Sequence, residues 1–265
     1  MAALRRWQDV SSEEFSKLDP ECTVAVFPVG AIEQHGPHLP VGVDAIIAEA
    51  IATRALEQLS AEVPALLLPT SKIGKSNEHI DFPGTLTFSA ETLTRMWFET
   101  GQSVARAGLR KIVFVNAHGG QPQVMEIVAR ELRVAEKMMA VTTGWWHVSG
   151  QHAAVPDHEK KHGIHAGMVE TSMMLALAPD TVDMGRAENF SPVMAEIESR
   201  YDRLRYLGGV GMGWQAQDIH PSGAAGDASS ANAEIGAEIV EAAARGLAEL
   251  IAEVSAYPLS ALKDR

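Results

Sequence analysis

The chain has 265 residues, 46% hydrophobic and 21% charged, and its 22 Lys and Arg against 34 Asp and Glu give a formal charge of −12. That balance argues against a nucleic-acid backbone as partner, which needs a basic patch, and against an anionic membrane surface. Ten histidines stand against one cysteine, Cys22, so no internal disulfide forms and any metal site must come from His, Asp and Glu.

Residues 23–29 (TVAVFPV) form a β-branched apolar run ending at Gly30 and read as a buried strand. Residues 44–59 repeat apolar side chains at helical spacing, with Asp44 where a carboxylate suits the positive end of a helix. A second strand is expected at 65–68. A helix follows at 89–107, with Ser89 as N-cap and Gly108 as terminator. Residues 111–116 (KIVFVN) give the clearest strand, followed by a helix at 122–137 with Pro122 in its first turn. A strand at 139–143, a helix at 170–177 and a long Ala-rich helix at 228–254 complete the series.

Continuous apolar strands alternating with helices predict an α/β fold. We expect a three-layer α/β/α sandwich around a mostly parallel sheet, forming one domain over residues 1–265. Such sheets bind ligands outside the carboxyl ends of their strands. The irregular stretch 179–222 reads as connecting structure. No apolar run approaches the ~20 residues of a membrane span. The opening segment lacks the apolar core of a secretory signal, so a cytoplasmic location is expected.

The histidines cluster where the sheet should end. Glu33, His35 and His38 follow the first strand, with Asp44 opening the next helix. His118, followed by Gly119 and Gly120, comes directly after KIVFVN, and a third group holds His158, His162, His165 and then Glu170. Glu33 and His35, two apart in an extended segment, point to one side. Glu33, His35, Asp44, His118 and Glu170 are more ligands than one ion usually takes, which suggests a dinuclear centre of Zn2+ or Mn2+. Glu78 and His79 are candidates for general acid–base work. Trp145 and Trp146 follow a strand and could wall a pocket for flat substrates. Gly119-Gly120 lacks a GxGxxG pattern or a P-loop lysine and so does not predict a nucleotide site. His38 is expected to orient Glu33 or His35, and His147, His152, His158 and His162 are assigned to loops or surface.

The segment VFPVGAIEQHGPHLPVGVD resembles the signature of the creatininase family, the creatinine amidohydrolases. The segments SNEHIDFPGTLTFSAETL, VNAHGGQ and HAGMVETS are similar to that family's further motifs, and PSGAAGDASSANAEIG to its closing segment. The resemblance implies an α/β/α fold and two divalent ions, Zn2+ or Mn2+, on Glu33, His35, Asp44, His118 and Glu170, with Asp44 bridging. It also implies hydrolysis of the C–N bond of a small, non-peptide or cyclic amide by a metal-bridging hydroxide, and assembly as a homohexamer, a trimer of dimers. Creatinine-hydrolysing members carry Tyr-Glu after the equivalent of His118, where this chain has Gly119-Gly120, so creatinine itself is a minority reading. Gly119 and Gly120 are then expected to border the substrate. The family also includes formamide hydrolases of pyrimidine nucleotides, a peptide-trimming enzyme of redox-cofactor maturation and a hydrolase opening a keto-inositol ring. A non-catalytic member would have lost ligands, whereas all five positions are intact here.

Overall fold

The computed structural model describes residues 5–263. Four strands form the central sheet: β1 (Val24–Val29), β2 (Ala65–Leu67), β3 (Lys111–Asn116) and β4 (Met139–Gly144). Their order is β2-β1-β3-β4 and every pairing is parallel. Side chains alternate across a strand, and both faces of β1 and β3 are buried, so both are apolar. Val24, Val26, Val113 and Val115 enter one core, while Ala25, Phe27, Ile112 and Phe114 enter the other.

Helices α1 (Val43–Gln58), α4 (Met168–Leu177) and α5 (Ala233–Ala256) cover the first face through Ile47, Ile51, Met173, Leu247 and Ile251. Helices α2 (Ala90–Arg106) and α3 (Pro122–Glu136) cover the second through Leu93, Trp97, Val128 and Leu132. The result is the expected three-layer sandwich.

Local chemistry sets the helix ends. Ser89 Oγ accepts a hydrogen bond from Thr92 N (3.1 Å), and Gly108 takes the left-handed conformation (φ 94°) that ends the turn after α2. The Ala-rich helix begins at Ala233, not at 228, because Asn232 Oδ1 accepts from Glu234 N (2.7 Å) and caps it there. Residues 228–230 form a separate 3-10 turn. The stretch 179–222 is less irregular than expected. It holds a helix at Met194–Arg200 and β5 (Asn189–Phe190), which pairs antiparallel with β6 (Gly226–Asp227). Two-residue strands carry no periodic signal, so this pairing was invisible in the sequence.

Register fixes where the site lies. Val29 of β1 pairs with Asn116 of β3, which pairs with Gly144 of β4. The three strands therefore end at one level, and the loops carrying Glu33 and His35, His118, and Trp145 leave from the same edge. Among the described residues no helix is long and apolar enough to cross a membrane.

Candidate metal centre

The loop after β1 turns sharply into α1, and Gly30 permits it: a Cβ there would lie 2.6 Å from Ala45 Cα. This close approach brings Asp44, in the first turn of α1, over the sheet edge. The loop after β3 is clamped by amides. Asn116 Oδ1 accepts from His118 N (3.0 Å) and from Gln121 Nε2 (2.9 Å), and Asn116 Nδ2 donates to the His118 carbonyl (2.7 Å).

Backbone acceptors define the imidazole tautomers. His35 Nδ1–H donates to the Glu33 carbonyl (3.0 Å), leaving the Nε2 lone pair facing Asp44 Oδ1 at 3.2 Å and Glu170 Oε2 at 3.8 Å. His118 Nε2–H donates to the Lys75 carbonyl (2.8 Å), leaving Nδ1 facing Glu33 Oε1 at 3.2 Å and Asp44 Oδ2 at 3.3 Å. Each oxygen of Asp44 thus meets a different histidine.

All five expected ligands converge. Glu33, His35, Asp44 and His118 are buried, and Glu170, in the first turn of α4, is half-buried. Ala166 N donates to Glu170 Oε2 (2.6 Å) from a left-handed backbone (φ 54°), an uncommon conformation for alanine that holds the carboxylate toward His35. Glu33 Oε2, His35 Nε2 and Asp44 Oδ2 are buried without a hydrogen-bond partner. Orphaned polar atoms of this kind are costly and call for a ligand. A mixed N/O donor set with both oxygens of one carboxylate presented suits borderline divalent ions.

The electrostatics agree. Burial alone would push the His35 imidazole down, but Asp44, Glu170 and Glu33 outweigh it and raise it to about 9. Burial likewise opposes charge on His118, yet Glu33 and Asp44 hold it well above the ordinary value. Burial would raise Asp44, but His35 and His118 keep its carboxyl below the usual range. Glu170 is pushed up to about 7 by burial.

Around this core stand residues that the sequence reading placed only in part. His79 Nδ1 accepts from Gln34 Nε2 (2.8 Å), and His79 Nε2 points to Glu33 Oε1 at 3.4 Å. His165 had no assigned role, yet it is buried between His35 (ring centroids 4.2 Å) and His79 (4.4 Å). Its Nε2–H donates to the Gln34 carbonyl (2.7 Å), and its Nδ1 lies 3.7 Å from Glu33 Oε1. Its place at the head of HAGMVETS, the motif that supplies Glu170, was the available signal. Burial holds His79 down to about 4 and His165 well below the ordinary value, so both are neutral near pH 7.

His38 corrects an expectation. Its Nε2 bonds Thr171 Oγ1 (2.9 Å) rather than Glu33 or His35. It therefore steadies α4, the helix carrying Glu170. Glu78 stands 3.5 Å from His118 Nε2.

A cavity of about 510 Å3 adjoins the centre, bordered by Gly119, Trp145, Trp146, His152, Lys160 and Glu170 among others. The two tryptophans meet edge to face (centroids 5.9 Å, 80°). Gly120 turns away from this cavity toward Glu78 and His118. His152 lies in a loop, as expected, but is half-buried and lines the cavity, while His147 and His158 are exposed and His162 is half-buried.

The family model for creatininase, creatinine amidohydrolase, matches residues 8–251. A mycofactocin precursor peptide peptidase of Mycolicibacterium smegmatis is 34% identical over 232 residues, covering 86% of this chain and 84% of the relative. A creatinine amidohydrolase of Pseudomonas putida is 32% identical over 181 residues, covering 64% and 70%. The solved structure of creatininase with Mn superposes with a TM-score of 0.74 at 26% identity, covering 94% of this chain and 98% of that one. With its motifs in order, its fold matched over nearly its whole length and its candidate metal-ligating side chains gathered at one sheet edge, this chain belongs to the creatininase family of amidohydrolases.

Proposed function

We propose that the chain is a dinuclear metal-dependent hydrolase that cleaves an amide C–N bond of a small substrate. The observation that carries this reading is the pairing of Asp44 Oδ1 with His35 Nε2 and of Asp44 Oδ2 with His118 Nδ1. Glu33, Asp44 and His118 would hold one divalent ion, and His35, Asp44 and Glu170 the other. Bound Zn2+ or Mn2+ would supply Lewis-acid polarisation of the carbonyl and a water made acidic enough to ionise near neutral pH.

The chain's own residues do the rest. The carbonyls of Glu33 and Lys75 fix the two ligand tautomers. Burial of the site strengthens every electrostatic contact within it. Trp145 and Trp146 border the substrate and shield the centre from bulk water. His79, held by Gln34 and stacked on His165, would pass a proton between the site and the leaving nitrogen.

A second reading concerns substrate size. The cavity of about 510 Å3 falls in the range that encloses drug-sized ligands and exceeds what one small ring fills. That favours an extended amide, such as a peptide end, over a compact cyclic one, and it agrees with the 34% identity to a peptide peptidase. A panel of peptides, cyclic amides, N-formyl pyrimidines and keto-inositols, assayed with and without chelator, tests both readings. Hydrolysis of an amide that stops on chelation and returns with Mn2+ or Zn2+ is expected. Turnover that survives chelation contradicts the metal reading, and turnover of the keto-inositol alone contradicts the amide reading. The proposal includes assembly of single-domain subunits as a hexamer, which native mass spectrometry reads directly.

A further inference from the structure

Glu78 sits on the short turn Asn77–His79, between β2 and α2, with only 13% of its side chain exposed. A carboxylate this buried is costly to ionise without a counter-charge. The one ion pair recorded for it among the described residues is with His118, at 3.5 Å to Nε2. That nitrogen is already committed to the Lys75 carbonyl (2.8 Å), so His118 offers no fixed positive charge once its Nδ1 lone pair is used. Lys75 attracts the carboxylate but makes no ion pair with it, its Nζ bonding Asn77 Oδ1 instead.

Two further facts fix where the carboxylate is. Donor atoms of Glu33, Glu78 and His118 all lie within 4.8 Å of one another, a spacing that a single ion spans. A Cβ added to Gly120 would overlap Glu78 Oε1 outright and would stand 2.5 Å from His118 Nε2. The head of Glu78 therefore fills the space that any side chain at position 120 would need.

We infer that Glu78 is a ligand of the ion held by Glu33, Asp44 and His118, and that position 120 is glycine because this carboxylate reaches the ion across it. The inference rests on the dinuclear reading above. It gives Glu78 a different task from acid–base work, which falls to His79. It also completes the first ion's shell: three protein ligands become four, where the second ion keeps three and an open position for substrate.

The test is a calorimetric titration of chelator-treated protein with Mn2+, comparing the wild type with the isosteric Glu78→Gln. The wild type is expected to take two ions. In Glu78→Gln one of the two sites is expected to weaken at least about a hundredfold, beyond the 10–100-fold that outer partners of metal ligands cost. The other site is expected to stay within about threefold, which also reports an intact fold. Two sites at wild-type affinity, a loss smaller than a hundredfold, or an equal loss at both sites overturns the assignment. A wild type that binds no Mn2+ overturns the dinuclear reading itself, so the two failures are distinct. Glu78→Asp, one methylene too short to cross Gly120, is expected to show the same one-site loss.

Discussion

Asp44 Oδ1 lies 3.2 Å from His35 Nε2, while the other oxygen of the same carboxylate meets His118. One side chain at a helix N-terminus thus links two loops that leave different strands. The Asp44→Asn variant keeps the shape but gives up the charge and one acceptor. It is expected to hold fewer than one equivalent of metal and to lose more than about a hundredfold in kcat/KM. Metal analysis and steady-state kinetics on the same preparation check this.

The histidine shifts give metal-free protein a defined pH profile. The folded value of His35 is raised from 6.5 to about 9, so its stabilising proton is fully present below pH 6.5 and lost as the pH rises through 9. Glu170, raised from 4.5 to about 7, acts in the same direction, because ionising it in the folded state is unfavourable. Between pH 7.5 and pH 9, where His38, His79 and His165 are neutral in both folded and unfolded chains, chelated protein is therefore expected to lose stability, about 2 kcal/mol of it from His35 at 1.36 kcal/mol per unit. Stabilisation by added Mn2+ should grow over the same interval, since metal needs deprotonated ligands. Denaturant titrations at both pH values, with and without metal, measure it. A chelated protein that becomes more stable toward pH 9 contradicts the electrostatic description.

Both tryptophans border the cavity, Trp145 buried in the core and Trp146 half-buried. Trp146→Ala is expected to raise KM about tenfold, the equivalent of roughly 1.4 kcal/mol of aromatic contact, with two metal equivalents retained. An unchanged KM across the substrate panel removes Trp146 from the substrate wall.

Glu159 is a buried carboxylate that accepts from Met168 N (2.7 Å) and Asp227 N (3.0 Å), tying the start of α4 to β6. Glu159→Ala leaves both amides unsatisfied and is expected to cost about 1–3 kcal/mol. Because α4 carries Glu170, the ion on His35 and Glu170 should weaken more than the one on His118. Thermal melts and Mn2+ titration report the two effects separately.

The sheet and its helices were legible because period and punctuation agreed. KIVFVN is a strand over the very residues expected, and Ser89 and Gly108 bound their helix as capping chemistry requires. The convergence of Glu33, His35, Asp44, His118 and Glu170 was legible because a parallel sheet brings its carboxyl ends to one edge. His165 was not, since a histidine ahead of a helix carries no sign of its tertiary neighbours. Its value comes from stacking on His35 and His79, which are distant in sequence. The role of Gly120 was equally hidden. A glycine looks permissive in sequence, and only the position of Glu78 shows that a side chain there has no room. His38 was misplaced for a related reason: nearness in sequence to Glu33 suggested a partner, while the fold turned its ring to Thr171.

The most direct measurement is the metal content of active, extensively dialysed protein by elemental analysis, set against its activity. About two equivalents of Zn2+ or Mn2+ per chain, with activity lost and regained in step with them, is the expected result. Full activity at one equivalent or none would contradict the bridged pair on Asp44.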